Sequence, residues 1–391
     1  MPLIFNKRIL ISLTSHASRQ PGILLNSIYS LIIAASLLTS GAAHAAEKKH
    51  VKKPANSTAT ASSAPAAKAK KDEGHFEQWK EVSSFISEMV SKHGYTEAEL
   101  KAIFKQARYI ETARQLMRPA PAGKPKNWKA YRARFVEPYR IEAGVAFWDK
   151  YADALTKAEQ EYGVPPEIIV GLIGVETIFG KQTGGFRVMD VLATLAFDYP
   201  DTPTRDARMQ FFRGELENML LMSREASLDP FVFKGSYAGA IGWPQFMPGS
   251  IRKYAVDFDG DGKINLTDSP VDAIGSVAHY LAVHGWKRNL PVAFPATLVV
   301  SEKSEQLSTA LGKGLQASYQ LQDLKAIATT ASSDAPTNIP YGLVDLQNGN
   351  DATEYWFATE NFYAITLYNR SYFYAMSVYD LGRVIAAARQ K

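Results

Sequence analysis

Cysteine is absent from the 391 residues of the chain. Disulfides and a lipid-modified N-terminal cysteine are thereby excluded, and the export of a thiol-free chain suits an oxidising compartment. Long apolar runs are missing too, apart from one near the N-terminus. No stripe of basic residues interleaved with aromatics appears, so nucleic acid is not a predicted partner. No internal repeat is evident. The chain carries a mild formal charge of +5, and much of that excess lies in a lysine-rich N-terminal tract. With 46% hydrophobic and 21% charged residues, the remainder has ordinary globular composition, long enough for two or three domains.

The one apolar run is "GILLNSIYSLIIAASLLTS". Lys7, Arg8 and Arg19 precede it and the small residues of "AHA" follow, the layout of a cleavable export signal ending at Ala45. Residues 46–74 are rich in Ala, Lys, Ser and Pro and have almost no bulky apolar side chains. Such a stretch cannot bury enough surface to offset its ordering entropy, so a flexible linker is expected.

From Phe76 the spacing of apolar residues becomes helical, and Thr96 with Glu99 forms the pattern of a capping box. Helical texture dominates residues 76–290. From Leu290 onward, "LPVAFPATLVV" and "EYWFATENFYAITLY" are β-branched and aromatic with partial alternation, which predicts a small β-containing subdomain over 291–361. A last helix closes the chain. The expected class is mainly α, within α+β. Its divisions are a helical domain at 75–164, a catalytic core at 165–290, the β-containing subdomain, and a C-terminal helix at 362–391 that completes the core.

Within "GLIGVETIFG", Glu176 stands among Ile173, Val175, Ile178 and Phe179, on a helix that Pro165–Pro166 is well placed to start. An ionised carboxylate in such company is paired, protonated or turned toward a cleft. The nearest acids in sequence, Glu167 and Asp190, are not at helical pairing distance from it.

"DFDGDGKINLTD" follows the first nine positions of an EF-hand loop, with Asp257, Asp259 and Asp261 at alternate positions and Gly262 at the turn. Lys263 would contribute only its carbonyl. The twelfth position holds Asp268 instead of the usual bidentate Glu, and Asp272 at the start of the next helix is the other candidate to complete the shell. A single unpaired loop of this kind suits a structural Ca²⁺ better than a calcium switch or Mg²⁺.

Four stretches, "GVETIFG", "GSYAGAIGWPQFMPGS", "YAVDFDGDGKINLTDSPVDAIGSVAHYLAVHGW" and "LYNRSYFYAMSVYDLG", together resemble the lytic murein transglycosylase B family across most of residues 140–390. The resemblance implies a lysozyme-like helical core, a peptidoglycan glycan strand as substrate, and cleavage of the β-1,4 bond between N-acetylmuramic acid and N-acetylglucosamine. It makes Glu176 the catalytic acid/base and assigns Ser236, Gln245, Tyr280, Tyr368, Asn369 and Tyr374 to the sugar-binding cleft. In the metal loop it points to Asp272 for the last carboxylate, while an additional residue before Pro270 keeps Asp268 in contention. It also implies a monomeric periplasmic enzyme with cell-wall synthesis or remodelling proteins as further partners; several members of the family are lipoproteins, and the absence of cysteine sets this chain apart from them. A hydrolytic muramidase on the same core and a non-catalytic peptidoglycan-binding scaffold are the competing readings; an intact Glu176 argues against the second.

Overall fold

The computed structural model describes residues 76–119, 125–330 and 332–390. The expected export signal and linker lie outside the described residues. In chain order the helices are α1 (Lys80–His93), α2 (Glu97–Gln106), α3 (Glu111–Leu116), α4 (Trp128–Arg132), α5 (Pro138–Lys150), α6 (Ala152–Tyr162), α7 (Pro166–Thr177), α8 (Val188–Phe197), α9 (Arg205–Glu225), α10 (Pro248–Tyr254), α11 (Pro270–Val283), α12 (Glu305–Leu311), α13 (Leu321–Leu324), α14 (Glu360–Tyr368) and α15 (Tyr372–Arg389). The strands are β1 (Phe186–Arg187), β2 (Lys234–Gly235), β3 (Ala293–Leu298), β4 (Tyr319–Gln320), β5 (Ala328–Thr329), β6 (Pro340–Asn348) and β7 (Asp351–Ala358). β1 and β2 form a short antiparallel pair, and the other five make an antiparallel sheet ordered β4-β6-β7-β3-β5.

Local chemistry sets many of the boundaries. Thr96 and Glu99 make the reciprocal bonds of a capping box at the start of α2. Proline occupies the first turn of α5, α7, α10 and α11, where no backbone donor is needed. The aromatic stretch "EYWFATENFYAITLY" is not all strand. It crosses from β7 into α14 because the Thr359 hydroxyl accepts the Asn361 N–H and caps a helix there.

Buried side chains gather in three clusters. One joins α5, α6, α7 and α11 to α14 and α15. A second unites α1 and α2 with α8, α9 and residues 237–241. The third lies under the five-stranded sheet, around Tyr341, Phe357 and Leu324. Packing thus crosses the chain divisions expected at 164/165: α1–α3 bury their apolar faces against α8 and α9, while α5 and α6 pack with α7. Apolar faces seek the nearest complementary face in space, whatever their order along the chain.

The pairing that matters most is α7 with α15. A Cβ on Gly171 would lie 2.3 Å from the Val378 carbonyl oxygen, and one on Gly382 would lie 2.0 Å from that of Glu167. Only hydrogen fits at either position, so the two backbones touch. The contacts Glu167–Gly382, Gly171–Val378 and Glu176–Tyr374 run in opposite chain directions, which makes the helices antiparallel and brings the end of α7 to the start of α15.

Candidate active site

Helix α7 is apolar on nearly every side and buried along most of its length. It ends at Thr177, and the next three residues, Ile178, Phe179 and Gly180, all have positive φ. This left-handed turn is unfavourable for Ile178 and Phe179. It is held from outside: the Thr177 hydroxyl donates to the Trp243 carbonyl at 2.9 Å and accepts the Gly180 N–H at 3.1 Å. Glu176 consequently sits in the last turn of α7, and its side chain lines a cleft of about 920 Å³.

One oxygen of Glu176 accepts a short hydrogen bond from the Tyr374 hydroxyl at the start of α15. The other oxygen is buried and meets no donor among the described residues. Burial raises the carboxyl to about 8, and the Tyr374 bond opposes that rise only in part. The location at the negative end of the α7 dipole also favours the neutral acid. Tyr374 itself is fully buried, and burial beside Glu176 pushes its phenol upward, so it remains a donor.

The cleft brings together Glu176, Ser236, Gln245, Tyr280, Tyr368 and Asn369 from five separate stretches of chain. Tyr374 stands behind Glu176 instead of on the wall. Gln245 has positive φ, and its amide nitrogen donates to the carbonyls of Gly242 at 2.9 Å and Thr183 at 3.1 Å. With both amide hydrogens committed, the carbonyl end is the part left for a ligand. Ser236 accepts the Ala240 N–H at 3.1 Å and so caps its turn while bordering the cleft; its own hydrogen is still available to donate.

Next to Gln245 runs an aromatic wall. Tyr280 donates to the Leu367 carbonyl at 2.9 Å, and Tyr368 donates to the Pro244 carbonyl. Their rings lie 4.8 Å apart edge to face, and Phe246 packs against both. Sequence reasoning overlooked His284, whose ring stacks on Tyr280 at 3.9 Å. Its position four residues after Tyr280, at the C-terminal cap of α11, was a usable signal, since residues so spaced share a helix face. Arg140, Glu215, Lys253 and Arg370 also line the cleft. Arg140 is nearly buried and donates to the Gly174 carbonyl at 2.9 Å, closing the end of α7, a role with no local sequence signature.

Beyond the cleft, the acidic loop places Asp272, and not Asp268, beside two of its aspartates. Carboxylate oxygens of Asp257, Asp259 and Asp272 lie within 4.8 Å of one another. Among the described residues, the Asp268 carboxylate accepts only from the Asn265 side-chain amide, through a long 3.4 Å contact. Asp261 accepts the Lys263 N–H at 2.8 Å and stands outside the converging three. Asp272 is almost wholly buried and receives the N–H groups of Phe258 and Asn265, both at 2.8 Å. Three carboxylates this close repel unless a cation or protons offset them, and an all-oxygen acidic set fits a hard divalent ion such as Ca²⁺.

A mainly helical fold with a buried, half-satisfied carboxyl at a helix end, set in a polar and aromatic cleft, defines a glycan-cleaving enzyme of lysozyme-like type. The chain belongs to the Transglycosylase SLT domain family, whose match spans residues 75–383. It is 43% identical over 324 residues to membrane-bound lytic murein transglycosylase B of Escherichia coli, covering 81% of this chain and 85% of that one. The crystal structure of soluble lytic transglycosylase SltB1 from Pseudomonas aeruginosa shares the fold with a TM-score of 0.70 at 44% identity, covering 79% of this chain and 99% of that one. The Escherichia coli lytic transglycosylase Slt35, solved in complex with calcium, gives a TM-score of 0.71 at 42% identity over 81% of this chain and 96% of that one. Among the described residues no helix is long and apolar enough to cross a membrane.

Proposed function

We propose that this protein is a lytic transglycosylase, cleaving the β-1,4 bond between N-acetylmuramic acid and N-acetylglucosamine in peptidoglycan and leaving 1,6-anhydromuramic acid ends. One observation carries the reading: among the described residues the Glu176 carboxyl has a single hydrogen-bond partner, Tyr374, and burial holds its proton to about pH 8. Such a group can act as a general acid at neutral pH. Glu176 protonates the leaving glycosidic oxygen. The 2-acetamido oxygen of the muramic residue then traps the positive charge developing at C1, which replaces a second protein carboxylate. Glu176, now ionised, removes the proton of the muramic C6 hydroxyl as that oxygen attacks C1. The proton returns to Glu176, no water is consumed, and proximity favours the internal hydroxyl over solvent.

Ser236, Gln245 and Asn369 supply hydrogen-bonding groups for the sugars, and Tyr280 and Tyr368 build the wall against which a pyranose ring packs. Tyr374 orients Glu176 and supports its charged form in the second half of the reaction. Asp257, Asp259 and Asp272 hold a structural Ca²⁺, with Asp261 and the Lys263 carbonyl drawn in as further ligands, which would tie the loop to α11. The calcium complex of Slt35 supports that reading. The N-terminal run supports export to the periplasm, with cleavage after Ala45.

The test is mass spectrometry of muropeptides released from purified sacculi by protein lacking residues 1–45. Anhydro ends, lighter by one water than hydrolytic ends, are expected. Reducing ends would mean that water captures the intermediate, and absence of any release in the presence of Ca²⁺ would leave a binding protein.

A further inference from the structure

Between the acidic loop and the C-terminal end of α7 lies a short segment, residues 242–245, that is bonded to both. On the loop side, the Trp243 backbone N–H donates to the Leu266 carbonyl at 2.9 Å, and its indole N–H donates to the Thr267 carbonyl at 2.9 Å. A Cβ on Gly242 would lie 2.3 Å from the Leu266 carbonyl oxygen, so the two backbones are in contact. On the cleft side, the Trp243 carbonyl accepts the hydroxyl of Thr177, the neighbour of Glu176, at 2.9 Å. The indole ring covers the left-handed turn, where a Cβ on Gly180 would lie 2.4 Å from it, and packs 5.8 Å from the Phe147 ring. The next two residues enter the cleft directly: the Pro244 carbonyl accepts from Tyr368, and Gln245 folds back onto the Gly242 carbonyl at 2.9 Å.

We propose that Trp243 is a positioning residue that transmits the order of the metal loop to Glu176 and Gln245. The proposal rests on the reading of the acidic loop as a cation site. Leu266 and Thr267 follow directly on the loop's ninth position, Asn265, whose N–H is held by the carboxylate of Asp272. Drawing Asp257, Asp259 and Asp272 around a cation fixes that exit strand. Trp243 is bonded to it at two points and cannot move independently of it. The left-handed turn after α7 is intrinsically unfavourable at Ile178 and Phe179, so it depends on contacts made from outside the helix. Trp243 supplies two of these, the carbonyl for Thr177 and the ring over Gly180. The loop therefore shapes the cleft without contributing any group to it.

The test is hydrogen–deuterium exchange on the protein lacking residues 1–45, with and without Ca²⁺, comparing wild type with Trp243→Phe and Thr177→Val. The first variant removes the indole N–H while retaining an aromatic ring; the second removes the hydroxyl that grips the Trp243 carbonyl. In the wild type, Ca²⁺ should slow exchange over 257–268 and also, at least about threefold, over 174–183 and 242–246. In both variants protection over 257–268 should persist, while protection over 174–183 should fall toward the metal-free level. Turnover of Trp243→Phe should drop about tenfold or more, with KM changed less than about twofold, because the sugars' own contacts are intact. Wild-type protection confined to 257–268 would overturn the proposal, as would full transmission in both variants. Ca²⁺ that protects nothing would instead sink the cation reading on which it stands. The two failures are therefore distinguishable.

Discussion

Replacing Glu176 with Gln separates what this carboxyl costs the fold from what it does in the reaction. The folded protein holds the Glu176 proton to about 8, against an ordinary value of 4.5. Each unit of such a shift corresponds to about 1.4 kcal/mol, so ionising the group in place costs several kcal/mol. An unfolded chain releases the same proton near the ordinary value. Between those two values the folded state binds more protons than the unfolded one, and stability falls as pH rises. The contribution is fully present below about 4.5 and is lost as pH climbs through about 8.

Gln has the shape of the neutral acid, keeps an oxygen for the Tyr374 hydroxyl, and never ionises. Glu176→Gln should therefore match the wild type in Tm at pH 4.5 and exceed it at pH 8.5. A gain of about 2 kcal/mol at the higher pH, a conservative share of the full shift, corresponds to roughly 4–8 °C at the 2–4 °C per kcal/mol typical of large domains. Differential scanning calorimetry at the two pH values checks this, and muropeptide release by the variant should be abolished at both. Other titrating groups are common to both proteins and cancel in the difference. A Tm difference independent of pH, or a variant less stable at pH 8.5, would mean that Glu176 is ionised and partnered, and the acid role would fall with it.

Tyr374→Phe removes the one bond that favours ionised Glu176, so the alkaline limb of the pH–rate profile should move to higher pH while turnover falls about tenfold or more; an unmoved limb would dissociate Tyr374 from the acid. Asp272→Asn should erase the rise in Tm produced by Ca²⁺, whereas Asp268→Asn should leave most of it, as read by thermal melts with and without chelator; equal loss in both variants would restore Asp268 to the shell. Gly171→Ala drives a methyl into the Val378 carbonyl and should destabilise by about 1–3 kcal/mol in denaturant titrations, with a larger fractional loss of activity than of stability. A neutral outcome would show that α7 and α15 can separate without disturbing Glu176.

What could be read in the sequence was local. The Thr96–Glu99 capping box, the prolines that open helices, and the alternating aspartates of the metal loop each act within one turn or one loop, and a few residues suffice to define them. Glu176 was conspicuous for the same reason, as a charge in a run of buried neighbours. The partners of these residues were not legible. Nothing near Glu176 in the sequence names Tyr374, 198 positions away, as its hydrogen-bond donor. The strand-like texture of 354–368 misled because aromatic and β-branched residues suit a buried helix as well as a strand, and the Thr359 cap decided between them. Asp268 and Asp272 were separable only by the path of the loop onto α11, which carries Asp272 inward and leaves Asp268 outside.

The distribution of strain connects these observations. Of the five non-glycine residues with positive φ among the described residues, Ile178, Phe179 and Gln245 flank or line the cleft. Each such conformation costs on the order of 1–3 kcal/mol, and the buried carboxyl of Glu176, with one oxygen unsatisfied, adds its own cost at the same place. Features that destabilise the fold are thus concentrated where the cleft is built, and rigid packing lies immediately outside. The backbone contact of α7 with α15 at Gly171 and Gly382 fixes one side of Glu176. The Thr177 hydroxyl, which donates to the Trp243 carbonyl and accepts the Gly180 N–H, fixes the turn beyond it. An acid that must first give up a proton and then take one back benefits from a site that favours neither state overwhelmingly: burial holds the proton, and Tyr374 lowers the cost of releasing it. If that balance is the reason for the strain, relieving it should exact a loss of turnover. Ile178→Gly, which makes positive φ easy but removes a buried side chain that lines the cleft, should relax the turn and lower turnover by a larger factor than it lowers stability in denaturant titrations; a variant with full turnover would show the strained turn to be incidental.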